Sequence, residues 1–203
     1  QMEDATAYAV ASRSLEKAET FAKEHQVEKA YGSYEEMLQD PEVELVYVAT
    51  PHSHHYECMK LALCYGKPVL CEKAFTANAE QAEEILSISE EKKLFVGEAM
   101  WTRFLPSRKM IDEVVSSGEI GQVHMITANL GYDIRMVERL RNPALAGGAL
   151  LDVGIYPLSF IRMITSAKIT SIDTSCVKLE TGVDAQNTVT FIFEDGCMAT
   201  MHS

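Results

Sequence analysis

Apolar residues in the first half of the chain come in short unbroken runs. Between the runs they recur every three or four positions. The runs at 7–11, 45–49, 69–71 and 94–97 read as strands covered on both faces, as strands of a parallel sheet are. Ser14 stands where it can cap a helix that carries Leu15, Ala18, Phe21 and Ala22 on one face. Ser33 with Glu36 three residues on is a capping box, and Asp40-Pro41 stops the helix it opens. The stretch Thr50-Pro51-His52-Ser53-His54-His55 reads as a loop opening a third helix. That helix turns Met59, Ala62 and Leu63 inward and ends at Gly66. A fourth helix, over 78–92, is expected to bury Ala82, Ile85 and Leu86. Strand and helix alternate with short connections, which predicts a doubly wound parallel sheet.

After Trp101 the pattern changes. A helix is expected around 110–115, ending at Gly118, followed by a longer alternating strand over 123–130. Gly147-Gly148 leads into an apolar helix over 155–164. The segments 187–193 and 197–201 flank Glu194-Asp195-Gly196, a hairpin signal. The expected fold class is therefore α/β: an incomplete Rossmann-type doubly wound sheet, then an α+β domain with a mainly antiparallel sheet. The boundary falls near residue 100. Residues 1–99 would form the dinucleotide-binding domain and 100–203 the substrate-binding and oligomerisation domain. Both are expected to be incomplete. No Gly-x-Gly-x-x-Gly occurs, and the first strand, phosphate loop and helix of such a unit take roughly 25–30 residues. The last hairpin also stops abruptly.

Charge and cysteine usage narrow the partners. A net charge of −12 opposes nucleic acid and anionic membrane surfaces, so neither is expected as a partner. An anionic ligand would need a local basic residue or backbone N–H groups. No run of 18 apolar residues appears, so no membrane-crossing helix is expected. The start, Gln1-Met2-Glu3-Asp4, is acidic. The five cysteines form no C-x-x-C pair and sit in apolar segments. They read as reduced, buried thiols of a cytoplasmic protein.

Several residues carry candidate chemistry. Val69-Leu70-Cys71-Glu72-Lys73-Ala74 is an apolar strand that delivers a carboxylate and an ammonium at its end. Open α/β sheets bind their ligands there; the plainer alternative is a solvated Glu-Lys pair. An NAD-preferring fold offers Asp or Glu at the end of its second strand, but Ser12-Arg13 stand here. A guanidinium can pair with a 2′-phosphate, which points to NADP over NAD; alternatively Arg13 is a surface residue. Asp152 and Tyr156, four apart, share one helix face; an N-cap Asp and a half-buried Tyr are the simpler account. His52, His54 and His55 lack a fourth ligand at suitable spacing, so no metal is expected. Trp101 offers a flat apolar face for a ring, or else belongs to the core. Leu130, Ile134 and Met136 alternate on a segment suited to a pocket wall. Cys71 reads as a buried thiol, with no His placed to activate it.

Four motifs in order resemble the glucose-fructose oxidoreductase / inositol dehydrogenase (Gfo/Idh/MocA) family: Thr50-Pro51-x-x-x-His55, Gly66-Lys67-x-Val69-Leu70-Cys71-Glu72-Lys73, Trp101-Thr102-Arg103-Phe104-x-Pro106, and the run from Gly147 to Tyr156. The resemblance runs from about residue 7 to the end of the chain. The family's Glu-Lys-Pro is Glu72-Lys73-Ala74 here, and its glycine-rich phosphate loop is missing. The Trp-Thr-Arg-Phe segment and Tyr156 look most like the dihydrodiol dehydrogenase branch, whose members also act on D-xylose with NADP. The resemblance implies hydride transfer between nicotinamide and a secondary alcohol of a cyclic diol or aldose. It implies Lys73, Tyr156 and Asp152 as catalytic residues. Cofactor contacts would come from Ser12, Arg13, Thr50, Pro51, His52, His55, Glu72, Lys73, Trp101 and Arg103. Substrate contacts would come from Trp101, Leu130, Ile134, Met136, Asp152 and Tyr156, and a homodimer would form through the antiparallel sheet. Another sugar or inositol dehydrogenase of the family, or a non-catalytic NAD(P)-binding regulator, stay open as alternatives.

Overall fold

The computed structural model describes residues 4–203, so the first three residues of the acidic start lie outside it. The chain gathers into two compact units. One holds the residues up to Ala49, Tyr56–Cys71 and Glu80–Gly97; the other holds Thr50–His55, Glu72–Ala79 and Glu98–Ser203. Compactness thus divides the chain differently from linear order. The short segments that follow two strand ends gather with the second half.

In the first unit, β1 (Ala9–Ala11) leads through α1 (Leu15–His25) to β2 (Lys29–Tyr31). α2 (Tyr34–Gln39), β3 (Val46–Val48), α3 (His52–Cys64), β4 (Val69–Cys71), α4 (Ala79–Lys92) and β5 (Val96–Glu98) follow, although His52–His55 of α3, Ala79 of α4 and Glu98 of β5 group with the second unit. The strands form two sheets, β1-β2 and β3-β4-β5, with β1 parallel to β2 and β3 parallel to β4. The expected single sheet is therefore divided between β1 and β3 among the described residues.

Local signals acted as the sequence suggests. Ser14 Oγ accepts from Lys17 N at 3.4 Å and Ser33 Oγ from Glu36 N at 3.2 Å, satisfying first-turn donors. Ala18, Ala22, Met59, Ala62, Leu63 and Ile85 are buried as expected. Leu15, Phe21 and Leu86 are not; each is about half exposed. The histidine stretch is no loop, since α3 begins at His52. β2 has no apolar run, so periodicity missed it. Its polar tips instead converge, with Tyr8 from just before β1, on one carboxylate: Lys29 Nζ (2.9 Å), Tyr31 Oη (2.5 Å) and Tyr8 Oη (3.2 Å) all donate to Asp40 Oδ2.

The second unit continues with a helical turn at Trp101–Phe104, α5 (Pro106–Ser117), β6 (Met125–Asn129) and the one-turn α6 (Glu138–Arg141). A π-helical turn, Leu150–Gly154, runs straight into α7 (Ile155–Ile164). β7 (Ile169–Lys178), β8 (Asp184–Phe193) and β9 (Met198–His202) complete a sheet of order β6-β9-β8-β7. It is antiparallel except that β6 runs parallel to β9. Its covered face packs Ile126, Val189, Phe191, Phe193, Ala199 and Met201 against Ile161 of α7. Each large side chain buried there contributes about 1.5–3 kcal/mol.

One apolar stretch stands out, and the expectation of five buried cysteines is corrected. The helical stretch Pro143–Ile164, 22 residues, is long and apolar enough by composition to cross a membrane. It holds no unbroken run of 18 apolar residues, since Asp152, Ser159 and Arg162 interrupt it. In this fold the stretch carries Ile161 into the core and Asp152 into ion pairs. Of the cysteines, only Cys71 and Cys197 are buried; Cys64 and Cys176 are exposed, on the last turn of α3 and on edge strand β7, and all five are free thiols.

Candidate active site

The segment after β4 is held in place by its backbone. His55 has no exposed surface, and its Nδ1 and Nε2 each lie 2.8 Å from a carbonyl oxygen, of Ala74 and Thr50. Phe75 N donates to Glu98 Oε1 at 2.9 Å. The Lys73–Ala74 peptide is cis. Glu72 turns its carboxylate back to the Lys73 backbone N–H at 3.2 Å. With its flanks fixed, Lys73 sends its ammonium to Asp152, donating to the backbone oxygen at 2.7 Å and to Oδ1 at 3.1 Å.

Two glycines bring Asp152 there. A Cβ on Gly147 would collide with the Leu140 carbonyl, and one on Gly148, where φ is +115°, would collide with the Asp184 side chain. Their absence lets Asp184 Oδ2 accept from Leu150 N (2.6 Å) and Asn187 Nδ2 (2.9 Å), capping the π-helical turn. Asp152 is 6 % exposed within that turn. Arg139 of α6 also reaches it, with Nη1 and Nη2 both 3.1 Å from Oδ1. Burial pushes the Asp152 carboxyl up, but Lys73 and Arg139 outweigh it and hold it below the usual carboxylate range.

One turn later comes Tyr156. Lys73 Nζ lies 5.3 Å from its ring centroid. Trp101 Nε1 donates to the phenol oxygen at 3.1 Å, with the rings edge-on at 6.2 Å. Trp101 is 55 % exposed, so it is not a core residue. Arg103 Nε donates to Ser159 Oγ at 3.1 Å, fixing the Trp101–Phe104 turn on α7. An open cavity of about 630 Å³ adjoins Tyr156, lined by Trp101, Leu130, Tyr132, Phe160 and Met163 among others.

The second unit therefore assembles Lys73, Asp152, Tyr156, Trp101 and Arg103, with Thr50, Pro51, His52, His55 and Glu72 in the same unit. Ser12 and Arg13 lie in the first unit just after β1, where Ser12 N donates to Tyr31 O at 3.1 Å and Arg13 is exposed. Of the expected pocket wall, only Leu130 lines the cavity at Tyr156. Leu130 also lines a larger cavity of about 940 Å³, together with Ile134. Met136, 88 % exposed, lines neither. The three histidines turn to separate partners: His52 to Ala146 O (3.1 Å), His54 to Ser53 Oγ (2.8 Å) and His55 to two backbone carbonyls. Burial lowers His52 below the usual histidine range and raises Glu98 above the usual carboxylate range. Sequence reasoning missed Phe160 and Met163, although their spacing of four and seven from Tyr156 marks the same helix face. It missed Arg139 too, on a single helical turn with no periodicity to read.

A nucleotide-type parallel fold, a second unit with a largely antiparallel sheet and a Lys–Asp–Tyr cluster define a chain of the oxidoreductase class with an NAD(P)-binding Rossmann fold. The chain belongs to the Gfo/Idh/MocA family. The family's NAD-binding Rossmann model matches residues 1–99, and its C-terminal domain model matches 109–203. It is 42 % identical over 187 residues to the trans-1,2-dihydrobenzene-1,2-diol dehydrogenase of Bos taurus, covering 92 % of this chain and 55 % of that protein. It is 48 % identical over 143 residues to the D-xylose 1-dehydrogenase (NADP(+)) of Hypocrea jecorina, covering 66 % of this chain and 37 % of that one. The solved myo-inositol 2-dehydrogenase of Lactobacillus plantarum superposes with a TM-score of 0.87 at 17 % identity, over all of this chain and 63 % of that structure. The chain spans about half the length of the curated dihydrodiol dehydrogenases it matches.

Proposed function

We propose that the whole protein is an NADP-dependent oxidoreductase acting on a secondary alcohol of a cyclic diol or an aldose. The observation that carries this reading is the convergence of Lys73, Asp152 and Tyr156, with the Trp101 N–H on the phenol oxygen. In the oxidative direction Tyr156 takes the proton of the substrate hydroxyl. The Lys73 ammonium and the Trp101 N–H favour the oxygen when it carries negative charge. Asp152 orients the ammonium and the substrate hydroxyls. The largely apolar wall of Trp101, Leu130, Phe160 and Met163 suits a ring with a hydrocarbon face.

Each unit by itself carries residues suited to part of a nicotinamide dinucleotide. Ser12 and the exposed guanidinium of Arg13 follow a parallel strand and suit a ribose phosphate. Thr50, Pro51, His52, Glu72, Lys73, Trp101 and Arg103 of the second unit are the candidates for the rest; His55, expected among them, is fully buried with both ring nitrogens on backbone carbonyls, so it supports Thr50 and Ala74 and touches no ligand. When bound, the cofactor accepts or returns the hydrogen and two electrons of the reaction. The free thiols and the net negative charge suit a cytoplasmic protein.

The test is Tyr156→Phe in the full-length protein, with trans-1,2-dihydrobenzene-1,2-diol and D-xylose as substrates. Turnover should fall by roughly 10²–10⁴ while cofactor binding changes little. Near-normal turnover where chemistry limits the rate refutes Tyr156 as the proton acceptor. Cofactor binding with no turnover of any alcohol by the unmutated protein would favour the regulator.

A further inference from the structure

Asp152 is one carboxylate between two cations. Lys73 Nζ and both terminal nitrogens of Arg139 approach the same oxygen, Oδ1, each at 3.1 Å. An arginine stays charged at any pH a protein survives. The cluster of Lys73, Arg139 and Asp152 thus carries a net charge of one positive unit, where Lys73 and Asp152 alone would be neutral. The cluster faces Tyr156, whose ring lies 5.3 Å from the Lys73 nitrogen.

The backbone holds Arg139 in this place. α6 is a single turn anchored by Leu140, which is 7 % exposed. Gly148 N donates to the Leu140 carbonyl at 2.9 Å, and that carbonyl is the one a side chain at Gly147 would strike. The next arginine, Arg141, pairs with Glu180, so the two arginines tie α6 down on both sides. The other ionisable groups near the cluster are Glu72, whose carboxylate accepts from the Lys73 backbone N–H at 3.2 Å, His52 of α3, which feels both Lys73 and Asp152, and Glu98, which feels Lys73, His55 and Arg103. Neither His52 nor Glu98 is placed on the Asp152 carboxylate by a hydrogen bond, as Arg139 is.

We propose that Arg139 is a positioning residue: it shares the Asp152 carboxylate so that Lys73 keeps an unneutralised charge beside Tyr156. The catalytic consequence rests on Tyr156 as the proton acceptor, but the electrostatic claim does not. Without Arg139 the Lys73–Asp152 pair closes on itself, and the phenol loses the favourable field. Arg139 is 47 % exposed at its side chain, so solvent screens part of the effect.

The test is alkaline titration of phenolate absorbance on the full-length protein without substrate. Subtracting the matching Tyr156→Phe variant isolates the one phenol. In Arg139→Gln that increment should appear at higher pH than in the parent. Arg139→Lys, which keeps charge but not the fork, should recover most of the shift. Arg139→Met serves if the glutamine variant does not fold. The rising limb of turnover against pH should move with the titration in the same variants. Overlaying titrations for parent and Arg139→Gln overturn the proposal, whatever Tyr156→Phe does to turnover. A shifted titration together with near-normal turnover of Tyr156→Phe supports Arg139 and removes Tyr156 as the base.

Discussion

His52 and His55 stand three apart on the first turn of α3, and burial gives each a backbone carbonyl as partner. In sequence they looked like ligand residues; in the fold His55 is the fastener between Thr50 and Ala74. His52 lets the Ala146 carbonyl accept from Nδ1–H, which fixes its tautomer. Its burial disfavours the charged ring and lowers its titration below the ordinary value. The unfolded chain therefore binds the proton first, and the stability His52 contributes is lost as pH falls below about 6.5. The stability advantage of the parent over His52→Asn, measured by urea unfolding, should shrink from mildly alkaline to mildly acidic pH. An advantage that stays constant or grows on acidification contradicts this.

At the scale of elements, the strand ends carry the consequences. β1 stops at Ala11 and is followed by Ser12 and Arg13, not by an acidic residue. Arg13 is exposed just before α1, which starts at Leu15 and is capped by Ser14, and the 2′-phosphate contact proposed for it would be charge-assisted. A charge-assisted hydrogen bond is worth about 1.5–3 kcal/mol. Arg13→Ala in the full-length protein should accordingly weaken NADP binding roughly ten- to hundredfold and leave NAD nearly unchanged. Equal affinity of the unmutated protein for the two cofactors, by calorimetric titration, would rule out the preference. β2 and β7 mark the limit of pattern reading. β2 has only Lys-Ala-Tyr to show, and β7 is largely exposed and polar on the sheet edge, so neither offers the apolar repeat that betrays a strand.

For the whole molecule, the open face of the second unit's sheet carries exposed apolar side chains. Side chains alternate across a strand, so burial of Ile126, Ala199 and Phe191 in the core turns Met125, Met198 and Ile192 outward. The pairing register sets these three side by side, Met125 against Met198 and Met198 against Ile192. They are 65 %, 36 % and 42 % exposed. A contiguous apolar patch of this kind marks an interface, and a homodimer formed through this face is the assembly we propose. Light scattering of the full-length protein at micromolar concentration should give the mass of two chains. Introducing charge with Met198→Glu should reduce it to one, and a monomer in the unmutated protein would exclude the dimer.

By itself the sequence determined the elements whose signals are local. A serine hydroxyl finds the free amides of the next turn whatever surrounds it, as at Ser14 and Ser33. An apolar run such as Val69–Cys71 cannot rest in water, and Glu194-Asp195-Gly196 turns a hairpin by backbone preference alone. The family motifs marked Lys73, Asp152 and Tyr156 as candidates. What only the tertiary structure decided is how charges separated by dozens of residues meet. Lys73 and Asp152 are 79 positions apart, and Arg139 reaches the same oxygen because two glycines let α6 approach the π-helical turn. No local signal encodes such a meeting, because it depends on where several backbones can pack without a side chain between them.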